Sequence, residues 1–370
     1  MKAKKRLNFI DRIFLWLNFF LCFALLLSYL APIADPAKYW FIAFFGLAYP
    51  ILLMCSLVFV VYWLLRRSIW ILLPIICIAI GWNVLKKNIG FRSESVIASV
   101  KDSSLIRIMT YNVHNFKRYG AKNDVSTKRE ILAIIATQQP DVIGFQEFYS
   151  RKHGQYDMVD SIQQILNCKS YYFQAFESNK TEAIGMAMFS KYPIIAHGFI
   201  HLSADRTSGN QCLYVDVKKG AQVFRVYSVH LQSIRFDPED YRYLNNVSAQ
   251  GKADMGSTKR LGSKLKTAFI KRSLQVVKVK NDAATCPYPY IISGDFNDTP
   301  TSYAVNEMSK GLKNTFNEKG SGFGRTYNGD FPNYQIDYIM AGPRFDVIDY
   351  KIIEKKLSDH YPVFSDLRLR

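Results

Sequence analysis

Polar residues that can bind a metal ion or a phosphate group recur where short apolar stretches of the chain begin or end. The residues with this placement are Asn112, Glu147, His230, Asp295, Asn297, Asp337, Asp359 and His360. Carboxylate and amide oxygens suit Mg²⁺ or Mn²⁺, because these ions prefer hard ligands. Imidazoles beside them suit phosphoryl chemistry, because negative charge builds up on the phosphate oxygens in the transition state.

The apolar stretches predict the elements that position these residues. Predicted strands cover residues 105–111, 141–147, 185–190, 211–217, 223–230, 290–293, 335–340 and 362–367. Between them, residues 126–137 and 262–280 carry apolar residues at helical spacing. This alternation predicts an α/β fold with sheets buried between helices, in which the strand ends bring their polar residues to one rim.

Six segments stand in a fixed order along this part of the chain. They are YNVHNF (111–116), DVIGFQE (141–147), VHL (229–231), GDFND (294–298), IDYIM (336–340) and SDHYPV (358–363). Together they resemble the endonuclease/exonuclease/phosphatase superfamily, which has the deoxyribonuclease-I-like fold. The resemblance runs from about Leu105 to the C-terminus. It implies a four-layer α/β sandwich, two packed mixed β-sheets flanked by helices, and metal-dependent hydrolysis of phosphate esters.

The resemblance also implies a role for each polar residue. Glu147 is similar to the principal Mg²⁺ (or Mn²⁺) ligand of the superfamily, with Asn112 and Asp359 close to the ion.

The catalytic group follows from the same resemblance. Asp295 is similar to the residue that orients or deprotonates the attacking water, and Asn297 to the residue that holds the phosphate or that water. His230 and His360 are expected to contact phosphate oxygens and stabilise the transition state. Asp337 is similar to the carboxylate that orients the final histidine.

Other polar residues are given structural roles. The remaining histidines are expected to be structural or exposed, and they are His114, His153, His197 and His201. Asp298 is expected to cap a helix.

The first 92 residues differ in character from the rest. No charged residue lies in 13–34, 39–65 or 68–85, and a helix needs about 20 apolar residues to cross a bilayer. We therefore expect a membrane anchor over residues 1–92, with transmembrane helices at 13–30, 39–65 and 69–85. A cleaved signal peptide is the competing interpretation, but the first apolar stretch is too long for one. A linker (93–104) and the catalytic domain (105–370) follow.

Basic residues beside the predicted spans indicate an orientation. Seven lie on the side of the N-terminal tail and the second loop, against four on the opposite side. Basic loops stay in the cytoplasm, so we expect a multi-pass integral membrane protein whose catalytic domain lies on the non-cytoplasmic side.

The charge of the chain favours an anionic substrate without identifying it. The net charge is +18, and half of it lies in residues 93–370. The basic stretch 242–280 could follow a phosphate backbone, contact lipid headgroups or form a solvated helix face. The favoured prediction is nuclease-like phosphodiester hydrolysis. The alternatives are a lipid or headgroup phosphodiesterase, a phosphatase, and a non-catalytic binding module. The sequence indicates no protein partner.

Overall fold

The computed structural model describes residues 7–92, 102–117, 125–205, 208–234, 236–251, 253–329 and 332–370. Most of the predicted linker, 93–104, lies outside these ranges.

The described N-terminal region is helical. Its helices are α1 (Phe9–Ser28), α2 (Pro36–Leu47), α3 (Tyr49–Leu65), a 3₁₀ turn (Ile69–Ile71), α4 (Leu72–Ile80) and α5 (Trp82–Asn88). Helix α1 is long and apolar enough to cross a membrane, about 30 Å at 1.5 Å per residue. The pair α2 and α3 meets the same criteria only if a bend of 48° is allowed, and residues 69–88 only with a bend of 64°.

Both bends have local causes. Pro50 in the first turn of α3 lacks an N–H, so a helix starts there more readily than it continues through. The second bend lies at Gly81, where a Cβ atom would stand 2.1 Å from the ring of Tyr29. The predicted spans 39–65 and 69–85 therefore each contain a break.

Polar contacts join the helices of this bundle to one another at each of its two ends. At one end, Asp11 of α1 accepts hydrogen bonds from Arg66 at 2.6 Å and from Tyr62 of α3 at 2.8 Å. At the other end, the hydroxyl of Tyr29 donates to the carbonyl of Cys77 in α4 at 3.1 Å. Helices α1 and α3 are thus antiparallel, and α2 and α5 leave the bundle from its second end.

The rest of the chain forms two six-stranded sheets and a small ribbon. The strands are β1 (Ile89–Phe91), β2 (Leu105–Asn112), β3 (Val142–Arg151), β4 (Ser170–Ser178), β5 (Glu182–Ser190), β6 (Ile194–His201), β7 (Gln211–Lys219), β8 (Gln222–His230), β9 (Tyr290–Asp295), β10 (Lys313–Asn314), β11 (Ser321–Phe323), β12 (Asp337–Ala341), β13 (Phe345–Ile352) and β14 (Val363–Leu369). Sheet I has the order β10-β12-β9-β8-β7-β6, and sheet II the order β13-β14-β2-β3-β5-β4. Both are mixed, because β8–β9 and β2–β3 are parallel while the other pairs are antiparallel.

The two sheets pack face to face and carry helices on their outer faces. The remaining helices are α6 (Val125–Gln138), α7 (Met158–Leu166), α8 (Pro238–Gln250), α9 (Met255–Ala284), α10 (Tyr303–Ser309) and α11 (Thr315–Lys319). Alternation along β2 shows the layering. Ile106 and Ile108 contribute to the core between the sheets, whereas Met109 and Tyr111 pack in the core that includes Ile131 of α6. Helices α9 and α10 cover sheet I. The predicted four-layer α/β sandwich is confirmed.

The N-terminal helices pack directly on the two-sheet unit. Helix α2 lies against α9, where the rings of Phe44 and Phe269 are 5.4 Å apart. The hydroxyl of Tyr334 donates to the carbonyl of Leu47 at 3.1 Å. Strand β1 pairs with β11 in antiparallel fashion. The bundle and the sandwich therefore share a folded boundary.

Candidate active site

The predicted site residues meet at one end of the two sheets. The first strands of the two parallel pairs end at Asn112 and His230, and β9 ends at Asp295, so these side chains reach the same rim. A cavity of about 270 Å³ opens there. Seven of the eight predicted residues line it, namely Asn112, Glu147, His230, Asp295, Asn297, Asp359 and His360. Asp337 lies behind His360.

Asp295 is the buried centre of the cluster. Its Oδ2 accepts hydrogen bonds from Asn112 Nδ2 and Asn297 Nδ2, both at 3.1 Å, and its Oδ1 accepts from the Asn297 backbone N–H at 2.8 Å. Burial raises the pKa of Asp295 to about 6; the charge of Asp337 adds to this rise and the nearby imidazoles oppose it. A carboxylate with such a pKa can take a proton near neutral pH.

The backbone on either side of Asp295 has a conformation that favours particular residues. Gly294 has φ +137°, and a Cβ there would lie 2.1 Å from the carbonyl oxygen of Val229, so only glycine fits. Asn297 has φ +53°, which asparagine tolerates better than most residues.

His360 is held by Asp337. Its Nδ1 lies 2.9 Å from Asp337 Oδ2, and its Nε2 lies 3.7 Å from Asp295 Oδ2. The Asp337 carboxylate accepts a hydrogen bond from the Nδ1–H group. This hydrogen bond fixes the orientation of the ring and directs Nε2 toward the cavity. Burial disfavours the charged ring, but Asp337, Asp295 and Asp359 outweigh it and raise the pKa of His360 well above its usual value.

His230 presents a free ring nitrogen. Its Nδ1 lies 3.0 Å from the carbonyl oxygen of Gly209, which can only accept, so Nδ1 carries a proton. Its buried Nε2 has no hydrogen-bond partner among the described residues, and lies 3.7 Å from Asp295 Oδ2 and 3.9 Å from Glu147 Oε1. A buried polar atom in this position fits a group that enters the cavity from solution.

Glu147 stands at a bulge in β3. The β3–β5 register shifts between Phe145 and Phe148, and Glu147 has φ +51°, so the bulge turns its side chain into the cavity. Its Oε1 accepts from Asn112 Nδ2 at 3.2 Å, and about a third of the side chain is exposed. Burial raises its pKa, but the neighbouring imidazoles more than compensate and bring the pKa to about 2.

Two groups of side chains in the site could hold a divalent ion. Glu147 and Asp359 offer carboxylates that suit Mg²⁺ or Mn²⁺. Asn112 adds an amide oxygen to this set when its amide group is reversed, because here its Nδ2 donates to Glu147 and its Oδ1 accepts from the backbone N–H of His114 at 3.2 Å. Asp295, Asp337 and His360 also bring ligand atoms within 4.8 Å of one another. That second group suits a metal less well, because a protonated His360 that donates to Asp337 cannot also be a ligand.

The structure differs from the sequence prediction at two residues. His114, expected to be structural or exposed, lines the cavity with Nδ1 3.5 Å from Glu147 and 3.7 Å from Asp359. Asp298 does not cap a helix, because α10 begins later, at the cap Ser302. Instead Asp298 forms a buried ion pair with Arg272 of α9 at 3.1 Å.

Two buried side chains of α9 support the segments that follow the central strands: Arg272 supports the loop after β9, and Gln275 supports the segment after β8. Arg272 donates to the carbonyl of Asn297, and the amide oxygen of Gln275 accepts from the backbone N–H of Gln232 at 2.8 Å.

The histidines His153, His197 and His201 lie outside the cavity lining.

Two packed mixed sheets with carboxylates, amides and imidazoles at their common end define a class of α/β phosphoesterases. The chain belongs to the endonuclease/exonuclease/phosphatase family, because the sequence model of that family matches residues 109–360. Members of this family are hydrolases of phosphate esters. Residues 11–88 match a second family, described as a domain of unknown function (DUF8431). No curated protein matches the chain.

Solved structures share the fold. A Beutenbergia cavernae endonuclease/exonuclease/phosphatase is 20% identical with a TM-score of 0.51, over 72% of each chain. A Bacteroides thetaiotaomicron mannosyl-6-phosphatase is 18% identical with a TM-score of 0.50, over 71% of this chain and 99% of that one. The catalytic domain of human Nocturnin, with bound sulfate, is 15% identical with a TM-score of 0.50, over 73% and 97%. At these identities the likeness shows the fold and not the substrate.

Proposed function

We propose that the chain is a membrane-anchored, divalent-metal-dependent phosphoesterase that hydrolyses phosphodiester bonds. The observation that carries this proposal is the convergence of Glu147, Asp295, His230 and His360 on one cavity. Glu147 is an ionised carboxylate, and Asp295 is a buried carboxylate with a raised pKa. The Nε2 atoms of His230 and His360 each lie 3.7 Å from Asp295 Oδ2. That combination supplies a cation site, a proton acceptor and two groups for phosphate oxygens.

In the proposed mechanism, Asp295 takes a proton from a water molecule whose oxygen attacks phosphorus, and the bond from phosphorus to the leaving oxygen breaks. Asn112 and Asn297 hold the Asp295 carboxylate in place. His360, and His230 when its Nε2 carries a proton as well as its Nδ1, direct an Nε2–H toward the phosphate oxygens and stabilise the charge that develops there. Asp337 acts through His360 as a positioning residue.

Glu147, Asn112 and Asp359 would hold the divalent ion, Mg²⁺ or Mn²⁺. When bound, the ion supplies positive charge that neutralises the phosphate. The open side of Glu147 leaves its carboxylate accessible from the cavity.

Helix α1 supports the membrane anchor, and the two bent helix pairs allow up to three spans. With three spans, the basic residues flanking them favour a catalytic domain outside the cytoplasm. We propose this multi-pass topology, and with it the division into anchor (1–92), linker (93–104) and catalytic domain (105–370).

The predicted nucleic-acid substrate is supported only by part of the basic stretch 242–280. Several of its cations have internal partners, such as Lys264 with Asp240 and Arg272 with Asp298. Lys259 and Lys271 are exposed and line an open groove beside the cavity. That groove is the place where a phosphate backbone would bind.

A small chromogenic diester tests the proposed activity without assuming a substrate class. We expect the full chain in detergent micelles to hydrolyse bis(4-nitrophenyl) phosphate with Mg²⁺ or Mn²⁺ and to lose this activity in EDTA. Asp295→Asn should lower kcat by about 10²- to 10⁴-fold, because a proton acceptor is lost. Asp160→Asn, an exposed position on α7, should retain full activity. An inactive but folded wild type, or a fully active Asp295→Asn variant, would contradict the proposal.

A further inference from the structure

The cavity that holds the site residues has apolar side chains in its lining as well as polar ones. Beside the polar cluster it is lined by Leu47, Ile234, Leu265, Phe269 and Ile336. A phosphate group and its ion need only the polar part. The apolar part is therefore available to the group that the phosphate is attached to.

Helix α2 of the N-terminal bundle contributes to this apolar wall, and its position is fixed. Leu47 is the last residue of α2, and its carbonyl accepts from Tyr334. One residue earlier, a Cβ on Gly46 would lie 3.0 Å from the carbonyl oxygen of Thr301, so the helix backbone packs closely on the loop that follows Asp295. The contact between Phe44 and Phe269 joins α2 to the other side of the wall.

The N-terminal half of α2 carries exposed aromatic residues. Tyr39, Trp40 and Phe41 are 54%, 40% and 47% exposed, and Trp40 also lies under the ammonium group of Lys266 at 4.4 Å. Tyr and Trp are enriched where membrane proteins meet the bilayer surface. Because α2 continues into α3 through a bend of 48°, a bundle in the bilayer would place α2, and with it the cavity, at the membrane surface.

We infer that the cavity takes a phosphate ester of a membrane lipid, with the phosphate at the polar cluster and the first methylenes of its apolar chain on Leu47, Leu265 and Phe269. This inference rests on the proposed phosphoesterase function and names its substrate class. A nucleotide would place hydroxyl groups and a further charged phosphate against these apolar side chains, which costs free energy. An alkyl chain gains about fourfold in binding for each methylene that it buries there.

Two chromogenic diesters that differ only in chain length test the inference with the full chain in detergent micelles. 4-Nitrophenyl ethyl phosphate and 4-nitrophenyl dodecyl phosphate both release 4-nitrophenolate when water attacks phosphorus, leaving the alkyl phosphate. We expect the wild type to prefer the dodecyl ester at least tenfold in kcat/KM, since two buried methylenes suffice for that. Leu47→Ser and Leu265→Ser should each reduce this preference about five- to tenfold.

Leu274→Ser is the matched control, because it makes the same change on α9 at a residue that is 56% exposed and outside the cavity lining. It shares any effect of the micelle on the long-chain ester and should keep the wild-type preference. Hydrolysis of both esters with no preference for chain length, or an equal preference in all variants, would overturn the inference alone. Faster hydrolysis of thymidine 5′-(4-nitrophenyl phosphate) than of the dodecyl ester would also overturn it, in favour of a nucleic acid. Failure to hydrolyse any of these esters would overturn the proposed function and the inference together.

Discussion

The charge of His360 depends on the acidic side chains around it. It bridges two buried carboxylates, with Nδ1 on Asp337 and Nε2 facing Asp295. These carboxylates raise the pKa of His360 and so favour the protonated ring, which offsets the charge of both aspartates. The three residues act as a connected unit, so changing one member alters the other two.

Asp337→Asn tests this unit without touching the proposed metal ligands. We expect kcat on bis(4-nitrophenyl) phosphate to fall by about 10²- to 10⁴-fold, with a smaller change in KM, because the amide no longer favours the charged and correctly oriented imidazole. Steady-state kinetics of the full chain measures both constants. A KM increase at unchanged kcat would mean that Asp337 serves substrate binding and not the orientation of His360.

Residue types and order along the chain were enough to predict which polar side chains gather at the cavity, because strand ends in such a fold share one rim. Their individual roles stay predictions. His114 could not be placed in the same way. It opens three consecutive residues, His114 to Phe116, with φ between +43° and +58°. Such a left-handed turn aims the ring at Glu147, and no periodic pattern indicates it. Its position two residues after Asn112 in the YNVHNF segment was the available signal.

Among the elements, central strands could be predicted from sequence and edge strands could not. In the two six-stranded sheets the sequence prediction omits β4, β6, β10 and β13, and all four lie at sheet edges. It also omits the short ribbon strands β1 and β11. An edge strand has one neighbour and exposes more of its side chains, so its apolar pattern is weaker, as the mostly exposed or half-buried residues of β6 show. Helix α9 extends beyond the predicted 262–280 at both ends. It starts earlier because Asp254 caps it about two turns before the apolar pattern becomes clear.

Asp240 links two helices beside the cavity. Its buried side chain accepts from the backbone N–H of Asp237 in the capping box of α8 and forms ion pairs with Arg260 and Lys264 of α9. Burial alone would raise the pKa of Asp240, but these partners lower it from 3.8 to about 2. A carboxylate whose pKa is lower in the folded than in the unfolded state stabilises the fold at pH values above its unfolded-state pKa. This stabilisation is lost as the pH falls toward the folded-state pKa.

We therefore expect the free energy of unfolding of the wild type to decrease between about pH 4 and pH 2 more steeply than that of Asp240→Asn, which has no carboxylate to protonate at this position. Urea unfolding of the full chain in detergent at a series of pH values measures both slopes. Asp160→Asn, at an exposed site, should follow the wild type. Identical slopes for wild type and Asp240→Asn would show that this carboxylate contributes nothing to acid stability.

At the scale of the whole molecule, the sequence separates an apolar region from a globular one but does not indicate that they touch. The contacts that join them are distant in the chain. Asn88 donates to Thr301 at 3.0 Å, and Lys87 donates to Asn306 at 2.7 Å. Composition and periodicity report on neighbours in sequence, so contacts across more than 200 residues leave no such pattern.

Removing residues 1–101 tests whether the bundle is part of the folded unit. The remaining chain loses the partner of β11, the hydrogen bond to Thr301 and the cover of Phe269 by α2. Exposing a buried phenylalanine costs about 1.5–3 kcal/mol, so we expect the fragment to unfold several degrees below the sandwich of the full chain. Its activity on bis(4-nitrophenyl) phosphate should also fall, because Thr301 belongs to the loop that follows Asp295 and carries Asn297. Thermal unfolding and steady-state kinetics measure the two effects.

Gly46→Leu in the full chain distinguishes packing of the bundle against the catalytic loop from simple tethering of the sandwich, since this variant keeps every helix of the bundle. A Cβ at this position would meet Ala31 at 2.5 Å and the carbonyl oxygen of Thr301 at 3.0 Å, so α2 must shift away from the catalytic loop. If packing of the bundle supports the site, this variant should lower activity in the same direction as the truncation. If both proteins keep wild-type activity and unfolding temperature, the bundle serves only to tether the sandwich, and the wall that Leu47 lends to the cavity has no catalytic consequence.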